Sequence, residues 1–106
     1  MKQNYDMIIE EKAMRVFSEM EKRVSAEDMV RIHEAFELAR EAHAKQMRKS
    51  GEPYIIHPIA VATIVAEELK LGANPVIAAF LHDVVEDTDY TMDDIRQRFG
   101  IGRAHV

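Results

Sequence analysis

A histidine and three carboxylates crowd into six residues, His82-Asp83-Val84-Val85-Glu86-Asp87, inside a run that is otherwise apolar. Another histidine, His57, stands 25 residues upstream in Tyr54-Ile55-Ile56-His57-Pro58. On a helix, positions i, i+1, i+4 and i+5 cover one broad face, and His82, Asp83, Glu86 and Asp87 hold those positions. Burying them beside Val76, Ile77, Phe80, Leu81, Val84 and Val85 is costly unless each finds a partner. A divalent cation satisfies imidazole and carboxylate together. His82 and Asp83 can reach one ion from adjacent positions, with His57 as a further ligand. Glu86 and Asp87, one turn on, can orient a water or shuttle its proton. A bound divalent ion brings the pKa of water towards neutrality, so the set reads as a metal-dependent hydrolase.

Each part has a plainer explanation. The three acids could be a solvated helix end, although acids there oppose the helix dipole and call for a compensating cation. His57 could simply fix the entry to a helix. It is the two segments together that favour the metal. The chain has no cysteine, which excludes disulfides and thiolate zinc sites. A histidine and carboxylate site suits manganese, iron or zinc.

Just before His57 lies Arg48-Lys49-Ser50-Gly51-Glu52-Pro53-Tyr54. In isolation this is a solvated basic turn. Leading directly into the proposed site, it offers cations and backbone N–H groups to phosphates and an arginine plane to a base.

The elements that must position these residues read as helices. Ile8, Ile9, Ala13, Val16, Phe17 and Met20 recur at spacings of three and four, predicting an amphipathic helix over 6–23. Ser25-Ala26-Glu27-Asp28 has capping-box spacing and opens a second helix running to about residue 46. Met29, Ile32, Ala35, Phe36, Ala39 and His43 lie along one of its faces, which makes His43 a core or supporting histidine; His33 is expected at the surface. Gly51 and Pro53 break the pattern, so 47–56 reads as a loop or very short extended pieces. Pro58 suits the first turn of a third helix, with His57 just before it and Gly72 ending it. Asn74-Pro75 is expected to cap a fourth helix over 75–87. Thr91-Met92-Asp93-Asp94 repeats the capping logic for a fifth helix that ends at Phe99. No segment alternates with period two.

The 106 residues carry a net charge of −5 and are 47% hydrophobic. One domain or part of one is expected, with no general affinity for nucleic acid. No apolar run approaches the about 18 residues that span a membrane, and the charged N-terminus does not resemble a signal peptide. The expected setting is cytoplasmic. Residues 101–106, Ile-Gly-Arg-Ala-His-Val, match the in-frame translation of a common short-read sequencing adapter and are expected to be a non-native tail.

Read together, Ala42-His43 with Gln46, Arg48 through Tyr54, His57-Pro58, and Leu81-His82-Asp83-Val84-Val85-Glu86-Asp87-Thr88 resemble the hydrolase domain of the Rel/SpoT family, within the HD superfamily of metal-dependent phosphohydrolases. The resemblance covers roughly 32–100. It implies an all-α, HD-domain-like helical bundle, truncated before its C-terminal helices. It also implies a manganese (Mn2+) enzyme that removes the 3′-pyrophosphate from ppGpp and pppGpp, giving GDP or GTP and pyrophosphate. Residue by residue, it makes His57, His82 and Asp83 metal ligands, Glu86 and Asp87 the pair that activates water, and Arg48, Lys49 and Ser50 the guanosine-binding loop, with Tyr54 lining the same pocket. The family's fourth ligand is an aspartate on a later helix, which this chain does not reach; apolar faces left uncovered are a consequence. The expected organisation is a helical lead (1–31), a partial hydrolase domain (32–100) and the tail (101–106). The setting implied is a longer bifunctional synthetase/hydrolase of the stringent response, with ribosome association only through other domains of that parent. A small stand-alone hydrolase and a non-catalytic helical fragment are the alternatives.

Overall fold

The structure, a computed structural model, describes residues 5–87 and 90–99, with every side chain among them except those of Asp87 and Met92. The expected tail, residues 101–106, lies outside the described residues.

Among the described residues five α-helices form the fold: α1 (Asp6–Glu21), α2 (Ala26–Ala42), α3 (Ile56–Thr63), α4 (Ala73–Asp87) and α5 (Met92–Phe99). Among the described residues the extended structure is one isolated antiparallel bridge, Met47 to Pro53. Among the described residues the fold is an all-α helical bundle, as the periodicity predicts.

The apolar stripes account for the packing. α2 lies against α4 and α1, and α3 lies against α4 and α1. Val16, Met20, Ile32, Phe36, Ile59, Val76, Ile77, Phe80 and Val84 are fully enclosed between them. Burying a side chain of this kind contributes about 1.5–3 kcal/mol. Phe36 meets Phe17 edge-on at 5.7 Å, and Phe80 at the same centroid distance. His33 is exposed, as expected, with its ring stacked on Phe17 at 3.9 Å.

Several boundaries differ from the expected ones. α2 stops at Ala42 rather than near 46, because the chain folds back: Gln46 N–H donates to the His43 carbonyl and the His43 side chain engages Gln46. α3 starts two residues earlier than Pro58, so His57 sits inside its first turn; Pro58 is tolerated there because first-turn N–H groups need no helical acceptor. α4 starts at Ala73, and Asn74 does not cap it. Its side-chain oxygen instead accepts from Arg31 at 2.8 Å. The same guanidinium reaches the Phe99 carbonyl at 2.5 Å, tying α2 to the start of α4 and the end of α5.

After α3 the helix widens into a π turn, Ile64–Glu68, in which Leu69 N–H reaches the Ile64 carbonyl at 3.0 Å. Arg23 satisfies the carbonyls of Ala66 (2.8 Å) and Leu71 (3.2 Å), and Arg15 grips Glu67 with two bonds of 2.5 and 2.7 Å. The Arg15 hydrogen bond holds the Glu67 carboxyl below the usual carboxylate range. The left-handed residue ending this segment is Lys70 (φ 52°), not Gly72. Two caps form as the sequence indicates. Ser25 Oγ accepts from Asp28 N–H, and Thr91 and Asp94 exchange reciprocal side-chain-to-backbone bonds of 3.1 and 3.0 Å.

Candidate metal centre

Helices α3 and α4 bring together the residues that lie 25 positions apart in the chain. His57 comes from the first turn of α3, and His82 and Asp83 from the last turns of α4. Their ligand atoms lie within 4.8 Å of one another, the group of acids and histidines that converges among the described residues. Asp83 Oδ2 is the hub: His82 Nε2 is 3.3 Å away and His57 Nε2 3.7 Å. The Asp83 side chain is 13% exposed and the two imidazoles about 40%, at 42% and 38%. The carboxylate therefore forms the floor of the site and the rings its rim, open to an incoming molecule.

The tautomer of His82 follows from its other nitrogen. Nδ1 lies 2.8 Å from the Ala79 carbonyl. A carbonyl only accepts, so Nδ1 carries the hydrogen and Nε2 of the neutral ring presents a bare lone pair. That lone pair faces a carboxylate oxygen, another acceptor. Two acceptors 3.3 Å apart repel unless a cation joins them. Histidine held through its second nitrogen by a carbonyl is also the usual support of a metal-bound imidazole. The three ligand atoms already lie within 4.8 Å of one another, so together they could hold one ion. Two imidazoles and a carboxylate suit a divalent first-row metal. The residues fit the group that the resemblance implies.

Glu86 lies one turn beyond His82 on α4 and is exposed, adjacent to the converging group rather than within it. Asp87 ends α4, and its side chain lies outside the described residues. No basic residue occupies the last turn of α4, so the acids at that end face the negative end of the helix dipole.

The loop after α2 turns through Gly51, whose φ of +93° is a left-handed conformation that suits glycine. Gly51 N–H donates to the Arg48 carbonyl and Arg48 N–H to the Glu52 carbonyl, both at 2.8 Å. Arg48, Lys49 and Ser50 are exposed on it and, with Met47, Glu52 and Tyr54, line an open cavity of about 640 Å3. Tyr54 does more than line that cavity. Its hydroxyl donates to Asp83 Oδ2 at 2.7 Å, a contact the sequence does not show, since nothing in residue spacing reports which way a loop tyrosine points.

With this geometry in view, comparison with known proteins gives a family. The HD domain model matches residues 35–106. The chain belongs to the HD-domain family. This HD domain is 53% identical over 75 residues to the bifunctional (p)ppGpp synthase/hydrolase SpoT of Escherichia coli K12, a match covering 70% of the chain and 10% of the relative. It is 54% identical over 69 residues to a guanosine-3′,5′-bis(diphosphate) 3′-pyrophosphohydrolase of Aquifex aeolicus, covering 65% of the chain and 10% of the relative. Against a GTP pyrophosphokinase of Streptomyces coelicolor it is 41% identical over 92 residues, covering 85% of the chain and 10% of the relative. The chain spans about a tenth of the length of the curated relatives it matches. Among the described residues no helix is long and apolar enough to cross a membrane.

Proposed function

We propose that this HD domain carries the hydrolase site of a (p)ppGpp 3′-pyrophosphohydrolase, acting in the cytoplasm within a longer synthetase/hydrolase. The observation that carries the reading is the convergence of His57, His82 and Asp83 on one point beside an open basic loop. The names of the Aquifex aeolicus and Escherichia coli relatives, a guanosine-3′,5′-bis(diphosphate) 3′-pyrophosphohydrolase and a (p)ppGpp synthase/hydrolase, suggest the substrate class.

His57 Nε2, His82 Nε2 and an Asp83 oxygen would hold the metal, for which manganese is the proposed ion. When bound, it supplies Lewis acidity and offsets the negative charge of the pyrophosphate. Glu86, exposed beside the centre, takes the proton from the attacking water; Asp87 is its proposed partner in orienting that water. Water adds to the phosphorus attached to the 3′ oxygen, that phosphorus–oxygen bond breaks, and the 3′ oxygen leaves as a hydroxyl with a proton returned from the acid pair. Arg48, Lys49 and Ser50 hold the guanosine end in the open cavity, Arg48 through its planar guanidinium. In this reading 1–31 are a helical lead and 32–100 are part of the catalytic domain.

The experiment is pyrophosphate release from ppGpp by the complete reading frame, with manganese and then with chelator. Release that stops in chelator supports the reading. Undiminished release without metal overturns it.

A further inference from the structure

We propose that Tyr54 is a positioning residue that ties the Arg48–Ser50 loop to the metal centre, by holding the Asp83 carboxylate in its ligating orientation. This rests on the metal-centre reading above and assigns Tyr54 a role other than lining the nucleotide cavity.

Tyr54 meets both halves of the site. Its hydroxyl donates to Asp83 Oδ2 at 2.7 Å, closer than His82 Nε2 at 3.3 Å or His57 Nε2 at 3.7 Å. Its ring lies edge-on to His57 at 5.8 Å, and its carbonyl accepts from His57 N–H at 2.9 Å. One residue thus touches two of the three proposed ligands. Tyr54 is itself held from behind. His43 is 1% exposed, its Nδ1 lies 2.5 Å from Gln46 Oε1, and its ring packs against the Tyr54 ring at 4.8 Å. Gln46 also accepts, through its carbonyl, the Tyr54 N–H at 2.9 Å. Tyr54 is therefore held by the tilted His43 ring packed against its own and, through its backbone, by Gln46. The same residue lines the cavity with Arg48, Lys49 and Ser50.

A hydrogen bond to a ligating carboxylate fixes the direction of its lone pairs, and losing such a support typically costs ~10–100-fold in metal affinity or activity. Without the hydroxyl, Asp83 keeps its charge and loses a constraint. The effect should appear in metal binding before any substrate is present. Because Tyr54 belongs to the loop as well, a nucleotide seated there should tighten metal binding through it, and metal should tighten nucleotide binding by the same factor.

Tyr54→Phe tests this, since it removes one oxygen and keeps the ring that packs on His43. Manganese affinity is measured by calorimetric titration of wild type and variant, GDP affinity is measured in chelator and in manganese, and thermal melts in chelator check the fold. The expected result is manganese binding weakened ~10-fold or more, a melt in chelator close to wild type, and a smaller enhancement of GDP binding by manganese. Turnover of the complete reading frame should recover at high manganese concentration. Unchanged manganese affinity overturns the proposal, as does a variant whose only defect is GDP binding in chelator, which would return Tyr54 to lining the pocket. A wild-type protein that takes up no manganese overturns the metal-centre reading itself, and the proposal with it. Equal affinities in wild type and variant overturn the proposal alone.

Discussion

His82 Nε2 stands 3.3 Å from Asp83 Oδ2 with its hydrogen already committed to the Ala79 carbonyl through Nδ1. When the ring is neutral its Nε2 lone pair faces a carboxylate lone pair, a repulsion that a cation between them, a proton or a metal ion, relieves.

Asp83→Asn should therefore separate the metal from the fold. In chelator, replacing a carboxylate by an amide relieves the repulsion, so the melting temperature should stay level or rise slightly. In manganese, the wild type should gain stability on saturation, about 2.7 kcal/mol at a hundredfold excess over Kd, and the variant should gain almost none. A variant that melts much lower in chelator would show that Asp83 has a structural role independent of metal.

His82→Ala removes a ligand outright and should abolish both manganese binding and turnover. Glu86→Gln should instead keep the metal and lose rate by ~10²–10⁴, because it removes a proton acceptor with little change in volume. The check is a manganese titration beside a rate assay on the same preparation. Loss of metal in Glu86→Gln would make Glu86 a ligand and reverse its proposed role.

Gly51→Ala should act on the loop alone. A Cβ there meets no atom within 4 Å, so the cost is torsional, from placing a side chain at φ +93°. That is about 1–2 kcal/mol, set against the loop conformation rather than the core. Nucleotide binding should weaken several-fold while manganese affinity and the melting transition change little. An undisturbed loop would mean that its shape is not set by Gly51.

The ion pairs on α1 give a pH dependence with a defined sign. Hydrogen bonds from Arg15 and Arg23 hold the Glu67 and Glu19 carboxyls below the usual carboxylate range in the folded protein. A depressed folded pKa contributes stability above the unfolded value, near 4.3, that is lost as pH falls through the folded value. Wild type should therefore melt slightly above Glu67→Gln at neutral pH, with the gap closing below about pH 4. The gap should be small, because exposed pairs contribute little. A gap that widens on acidification would contradict the assignment.

The residues of the candidate site were legible in the sequence because their types are costly to bury and their spacing is helical. His82 and Asp83 share a face of α4, and His57 precedes Pro58 at the start of α3. The core faces of α1, α2 and α4 and the Thr91–Asp94 cap follow from periodicity and local hydrogen bonding in the same way. What was not legible depends on tertiary contact. The π turn is held by Arg15 of α1 and by Arg23 in the turn after it, both more than forty residues away in the chain. Asn74 is drawn from capping α4 by Arg31, and α2 ends early because His43 and Gln46 close a turn. The resemblance places Tyr54 in the nucleotide pocket; its hydroxyl bond to Asp83 spans 29 positions and leaves no local pattern.

The most direct test of the account is the stoichiometry of manganese bound to wild type and to His57→Ala, measured by electron paramagnetic resonance. His57 is the ligand that comes from the other helix, so it decides whether α3 and α4 share one ion. The account predicts one tightly held manganese per molecule of the complete reading frame and none of comparable affinity in its His57→Ala variant. Full-affinity binding in His57→Ala would contradict a centre built by His57, His82 and Asp83.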